Sequence, residues 1–281
     1  MKASFFAIAT ILSLSVSAQK NAEKLQLEPG QKIVFNAIDT VKNKQTRGTE
    51  TTDMNTLTHS KVEFVVLDKK TDYYLIAQTL KTMKLDFEGF GTKMSYDSED
   101  PSKQSGMMVD QLKAMIGKTD TIRVDSDGNI LEEAKEGRGN RGGRGGGMGG
   151  GMMRMMNQGS ANFDRAFVMV PNGVTEGQGW KKDAVKDNIK TQTIYFVEKI
   201  KGDMVELTFK RKTKGTRSFT TQNGQSQIDI DNLSDGALTV NRLTGRVKSY
   251  SENVQTSTKM NMMGMDMPST GTTVSRITIE E

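Results

Sequence analysis

A chain of 281 residues with no cysteine, 39 basic and 34 acidic side chains and 35% apolar residues excludes a disulfide scaffold, a thiol nucleophile and a cysteine-acylated membrane anchor. The formal charge is +5, but charges of both signs are interspersed as on an ordinary wet surface, and the balance gives no nucleic-acid footprint. The apolar content suits a sheet with one wet face.

The first residues read as a secretory leader: Lys2, an apolar run from Phe5 to Val16, then Val16-Ser17-Ala18 in the small-x-small pattern that signal peptidase cuts. Cleavage is expected near Ala18-Gln19, giving a periplasmic or secreted protein. The run is shorter than the about 20 residues a membrane-spanning helix needs. No transmembrane segment is expected after it either.

Beyond the leader, strand signals dominate. Lys32 to Ile38 alternates with Ile33, Phe35 and Ala37 on one face, the period of two that marks a half-buried strand. Lys61 to Leu67 repeats the pattern through Val62, Phe64 and Val66, and Tyr73 to Phe87 follows the polar turn Asp68 to Asp72, predicting a long hairpin. Ser105 to Ile116 spaces Met108, Leu112, Met115 and Ile116 as on one helix face, with Gly117 suited to end it. Thr121 to Leu131 reads as a short hairpin around Asp125-Ser126-Asp127-Gly128. A helical turn at Asn162 to Phe167 must stop before Pro171, because proline disfavours the α conformation in the residue before it. Four further strands surround the turns at Lys201-Gly202-Asp203 and Gln222-Asn223-Gly224-Gln225, and Asn-Gly is the strongest short hairpin signal. Ala237 to Val240, Arg246 to Tyr250 and Val274 to Ile279 complete the set.

The two halves rhyme: long hairpins at 61–80 and 193–212, short ones at 121–131 and 238–248. The predicted fold is mainly β. Long antiparallel strands form a curved sheet or half-barrel, or two similar β lobes, with one covering helix at about 105–116. The predicted organisation is a signal peptide at 1–18, a first lobe at 19–136, a Gly/Arg/Met-rich disordered linker or insertion at 137–159 and a second lobe at 160–281. Phe35, Phe64, Leu75, Leu112, Met115, Phe196, Leu207 and Phe209 are expected to form the interior.

Three stretches carry a resemblance. Lys24-Leu25-Gln26-Leu27-Glu28-Pro29-Gly30-Gln31 opens the mature chain, Gly117-Lys118 leads into the Asp-x-Asp-Gly-Asn-Ile-Leu turn, and Pro171-Asn172-Gly173-Val174 leads to Gly177-Gln178-Gly179-Trp180. Together they resemble a family of uncharacterised secreted Gram-negative bacterial proteins, a β-rich domain of unknown function of about 300 residues. The resemblance implies a β-rich exported domain. It implies no activity and brings no catalytic residues.

Methionine is the compositional oddity. Among the 19, Met148, Met152, Met153, Met155 and Met156 crowd one segment, and Met260, Met262, Met263, Met265 and Met267 another. Thioethers are soft ligands that select Cu(I) over hard cations. Met152, Met153, Met155, Met156, Met260, Met262, Met263, Met265 and Met267 are therefore candidate Cu(I) ligands in flexible loops. The competing reading is plain packing by an adaptable side chain. Gly137 to Gly151 resembles an RGG tract, but it lacks the interleaved aromatics on which bases stack and reads as a linker, with no nucleic-acid partner. Asp125-x-Asp127-Gly128-Asn129 departs from a calcium loop at its sixth position, where Ile130 replaces the required glycine. His59 is the one histidine, and no Gly-x-Ser-x-Gly elbow accompanies it. The chain therefore reads as an exported non-catalytic protein of the cell envelope, with an apolar ligand such as a lipid as its cargo. The alternatives are Cu(I) buffering and a structural or interaction role without a small ligand.

Overall fold

The protein is described by a computed structural model over residues 21–47, 49–106, 108–133, 163–186, 188–221, 224–262 and 265–280. The expected leader and the Gly/Arg/Met-rich tract fall outside these residues. Strands hold 71% of them, so the chain is mainly β as its alternation predicts.

The strands are β1 (Lys32–Arg47), β2 (Glu50–Lys69), β3 (Tyr73–Gly89), β4 (Thr92–Asp97), β5 (Thr119–Asp125), β6 (Ile130–Glu133), β7 (Gly179–Lys186), β8 (Ile189–Lys201), β9 (Met204–Thr221), β10 (Gly224–Asn241), β11 (Val247–Met262) and β12 (Met265–Glu280). All lie in one antiparallel sheet of order β6-β5-β3-β2-β1-β12-β11-β10-β9-β8-β7, with β4 on β3. The sheet is open: β6 and β7 stand at its edges. β1 and β12 pair at its centre from Val34↔Glu280 to Gln45↔Ser269. The two six-stranded halves that rhyme in sequence are thus joined along this seam.

The main strands share two ends. At the proximal end lie the turns after β2, β8 and β10; at the distal end lie the tips of the β1–β2, β9–β10 and β11–β12 hairpins. The β2–β3, β8–β9 and β10–β11 ladders are broken at Val66/Asp68, Val197/Lys199 and Thr239/Val240, all near the proximal end. Bulges bend a strand and increase its twist, so the sheet curls most where its core sits. There Phe35, Phe64, Leu207 and Phe209 are buried, together with Leu25, Leu27 and the 3₁₀ turn Phe163–Ala166. Edge-to-face rings link Phe35 to Phe64 at 4.9 Å and Phe64 to Phe163 at 5.1 Å. The segment before β1 closes this end: Ala22 N–H donates to Arg242 O at 2.8 Å and Leu25 N–H to Ser126 O at 2.6 Å, bridging turns from opposite halves.

The helix is shorter than the periodicity predicts. α1 spans Val109–Lys113, because residues 114–117 close in tighter turns ending at Gly117, with φ +75°. It packs on a second, methionine-rich cluster of Met54, Met83, Leu85, Phe87, Met94 and Tyr96, with Leu112 fully buried and Met115 half-buried. Two of the expected interior residues fall on the other face. Leu75 follows Tyr74 and precedes Ile76, which take the inward phase. Phe196 is 41% exposed because its neighbours Tyr195 and Val197 point inward. The strands are also longer than expected. Met204 to Thr221 is continuous through Gly215, and residues 251–262 and 265–273 lie in two strands where the alternation predicts none.

Gly236 on β10 makes room for the core. A Cβ there would strike the Ser251 carbonyl and come within 2.6 Å of the Phe209 ring; that ring stacks on Tyr250 at 5.5 Å. Gly236→Ala should lower stability by about 1–3 kcal/mol, the usual cost of overpacking. An unchanged chemical denaturation midpoint would show that the ring moves aside freely.

Candidate functional site

The inner face changes character along the strands, row by cross-strand row. Ala37, Ile277, Tyr250, Leu238, Leu207 and Val197 form an apolar row across six strands. The next row is Asp39, Ser275, Glu252, Gly236, Phe209 and Tyr195. Then come Val41, Thr273, Val254, Ser234, Arg211 and Thr193, followed by Asn43, Gly271, Thr256, Asn232, Thr213 and Thr191. The dry core therefore stops at a band of buried charge, and a hydroxyl-rich slope begins.

Glu252 is the centre of that band, its side chain 2% exposed. Oε1 accepts from Arg211 Nη1 at 3.0 Å and Ser234 Oγ at 2.8 Å. Oε2 accepts from the Tyr250 hydroxyl at 2.8 Å and pairs with Arg165 Nη2 at 3.1 Å. Both guanidinium groups also lie over aromatic faces, Arg165 over Tyr250 at 5.3 Å and Arg211 over Phe209 at 5.1 Å, adding cation–π attraction. Burial alone would raise the Glu252 carboxyl, but the charges of Arg165 and Arg211 and the two hydroxyls outweigh it and hold the group below the usual glutamate range. Burial pushes the Tyr250 phenol up. Arg165 belongs to the turn Phe163–Ala166, so the carboxylate bolts that turn to the sheet. On the seam, buried Asp39 accepts from Ser275 Oγ at 2.6 Å.

Beyond this band the inner face of the long strands carries Val41, Val254, Ile228 and Ile230 among threonines. All four are half-buried, although no described element packs across them in the way the turn Phe163–Ala166 covers the proximal end. The opposite face carries a hollow of about 810 Å³. It follows two adjacent polar rows, with Lys42, Gln255, Leu233 and Lys212 in one and Asp53, Lys44, Ser257 and Asp231 in the other. A twisted sheet is saddle-shaped, which makes each face concave along one diagonal.

Of the candidate copper ligands, four come together by register. Met260 pairs with Met267 and Met262 with Met265, at the tip of the β11–β12 hairpin. They sit in regular strands, not in a flexible loop. Met263, Met152, Met153, Met155 and Met156 lie outside the described residues. His59 is exposed on the outer face, between Ile38 and Lys84 on the neighbouring strands. Asp125 is occupied by its own turn, accepting from Asp127 N–H at 2.9 Å, Asn129 N–H at 2.8 Å and Asn129 Nδ2 at 3.0 Å. Trp180 stacks on Tyr195 at 4.9 Å and packs against the core. Among the described residues no three His, Cys, Asp or Glu side chains group as a metal site, and no helix is long and apolar enough to cross a membrane.

The Glu252 cluster is what sequence reasoning missed. Its signal was the phase of alternation: Leu207, Phe209, Arg211 and Tyr250, Glu252, Val254 each place one charge in an inward run.

No protein-family model matches the chain, and no curated protein matches it. Among solved structures, the chain is similar to lipovitellin, in a structure described as "Lipid-protein interactions in lipovitellin". The identity is 9%, the TM-score 0.44, and the match covers 91% of this chain and 26% of that one.

Glu252→Gln keeps the shape but leaves the half-buried Arg165 and Arg211 without their counter-charge. Loss of one member of a buried ion pair costs about 3–5 kcal/mol, and this variant should lose that much at pH 7. Because the folded carboxyl sits below its unfolded value of about 4.3, its contribution is complete above that pH and fades as pH falls through the folded value. Acid titration of stability should therefore be shallower for Glu252→Gln than for the wild type; parallel curves of equal height would show that the ion pair contributes nothing.

Proposed function

We propose that the protein is an exported, non-catalytic binding protein of the cell envelope, and that its open inner face takes an apolar or amphipathic ligand such as a lipid. The observation that supports this reading is the slope beyond Glu252. Val41, Val254, Ile228 and Ile230 are set among the methyl and hydroxyl groups of Thr256, Thr258 and Thr273 on one curved face, across which no described element packs at these positions. Aliphatic groups sheltered by curvature offer an acyl chain contact area, worth about 25 cal/mol per Å² removed from water. Threonine hydroxyls beside them can meet a polar head. Buried carboxylates of the described residues serve the scaffold: Glu252 holds two arginines, Asp39 a serine, and Asp97 pairs with Lys84 at 3.2 Å. Export is supported by the leader-like run Phe5 to Val16 and by the cysteine-free composition.

The test is displacement of a fluorescent fatty acid by oleate from the purified mature chain, alongside lipid extraction of the protein as isolated. Val254→Asp, on the inner face, should weaken fatty-acid binding by at least about tenfold, since a charge placed in an apolar contact is strongly unfavourable. Leu233→Asp, on the outer face and 51% exposed in the wild type, should leave it unchanged. Absence of uptake by the wild type, or equal loss in both variants, would overturn the reading.

A further inference from the structure

Charge is sorted by face on the second half of the sheet. Side chains at every second position of a strand share a face. From β12 across to β7, the described inner positions beyond the Glu252 row carry no carboxylate. The charged side chains among them are Arg211 and Arg217 on β9 and Lys182 on β7. The outer positions of the same strands mix both signs: Lys181 pairs with Asp183 at 2.9 Å, Lys214 with Asp231 at 3.6 Å and Lys259 with Asp266 at 2.6 Å. Glu50 takes the inner phase on β2, opposite Arg47 at the tip of the β1–β2 hairpin. The outer face therefore neutralises itself, whereas the inner slope from β12 to β7 is positive.

The row at its border repeats the imbalance. Glu252 is one carboxylate between two guanidinium groups, and Arg165 Nη1 is buried with no acceptor among the described residues. Asp39, the other acid of that row, stands two strands away on β1, where Ser275 donates to it. Cations of one sign on a concave surface focus their field and concentrate anions there.

The next row joins these cations to apolar contact. Val254, Ser234, Arg211, Thr193 and Lys182 lie side by side on five adjacent strands. Arg211 donates from Nε to Thr193 Oγ1 at 3.1 Å and from Nη1 to Glu252 Oε1 at 3.0 Å, yet its side chain is still 24% exposed. Thr193 is buried; having accepted from Arg211, its hydroxyl keeps a proton to donate. Lys182 is exposed and makes no hydrogen bond or ion pair among the described residues. Two strand spacings put Arg211 and Lys182 about 10 Å apart across Thr193, a gap that two long side chains can close on one small anion. Ile230 and Ile228 continue from Ser234 along β10 on the same face. The donors left over are one nitrogen of Arg211, the Lys182 ammonium and the Thr193 hydroxyl. They match a carboxylate, with two acceptor oxygens and a single charge, better than a phosphate monoester, with three oxygens and about two charges.

We propose that the inner face takes a single-chain fatty-acid anion, its carboxylate between Arg211 and Lys182 and its chain over Val254, Ile230 and Ile228. The site rests on the lipid reading of the slope, to which it adds the charge and the place of the head.

The purified mature chain is titrated by calorimetry at pH 8 with oleate, oleyl alcohol and oleylamine, which share one chain and differ in the head. Oleate should bind at least about tenfold tighter than the other two, the gain expected of a charge-assisted hydrogen bond. Lys182→Glu should abolish that preference with its circular dichroism unaltered, since the residue is exposed on an edge strand. Lys212→Glu makes the same charge change at an exposed outer position opposite Leu233 and should retain the preference. Arg217→Glu should retain it too, because Arg217 lies about 20 Å farther along β9, beyond the about 8 Å over which salt screens a charge. Oleyl alcohol or oleylamine binding as tightly as oleate, equal loss of preference in Lys182→Glu and Lys212→Glu, or loss in Arg217→Glu alone would overturn the site and leave the lipid reading standing. Tighter binding of oleoyl lysophosphatidate than of oleate would put a phosphate in place of the carboxylate and overturn it as well. No binding by any of these ligands would remove the lipid reading itself, and the site with it.

Discussion

The carboxylate of Glu252, held between Arg165 and Arg211, is the interaction on which the inner face turns. The strands are longer than their apolar residues can cover, so the sheet must pass from a dry half to a wet one on a single surface. An abrupt border would leave ladder groups and aromatic edges meeting water at random. Here the border is a row of buried polar side chains, each with a partner. Glu252 joins a turn from outside the sheet to three of its strands, while Asp39 and Ser275 close the same row across the seam. Desolvating these charges is costly, and in return the carboxylate holds the turn Phe163–Ala166 against this row through Arg165.

Everything proximal to that row is ordinary core, closed by residues 21–28 and by aromatic contacts from Phe35 to Phe167. Distal to that row the stretch from β1 across β12, β11 and β10 is thin, lined on its inner face by threonine and aliphatic groups, while on β2–β4 a second cluster around Met54 and Phe87 packs under α1. The ligand surface proposed above belongs to the thin distal part.

The class of fold was legible because alternation is strong where the core is deep. Ile33, Phe35 and Ala37, and Val205, Leu207 and Phe209, announce their strands and are buried as the pattern implies. Alternation fades where both faces are polar, so β11 beyond Tyr250 and β12 before Val274 gave no strand signal. In Gln255-Thr256-Ser257-Thr258 no side chain is apolar, and only pairing with neighbours makes it a strand. Phase was harder than existence. Tyr195-Phe196-Val197 offers large residues on both faces, and the inward set was decided by Leu207 and Phe209 across the ladder. The crowding of methionine was plain in the sequence, but the pairing of Met260 with Met267 was not, since it follows from the register of the whole β11–β12 ladder. Glu252 was invisible as a site because its arginines come from residues 165 and 211, and no local spacing links them.

The seam between β1 and β12 also sets the order of events during folding. Its partners are among the most distant in the chain; the Asp39–Ser275 hydrogen bond spans 236 residues. Proteins dominated by such non-local pairings fold slowly, because the closure entropy of a long loop must be met before the contacts reward it. Until the last strand emerges, β1 carries one unpaired edge at what will become the middle of the sheet. A nascent chain therefore exposes, for most of its synthesis, a strand template open to the wrong partner. Arrival of the final sixteen-residue strand converts two half-sheets with a vulnerable border each into one, leaving its free margins to the short β6 and the lysine-bearing β7.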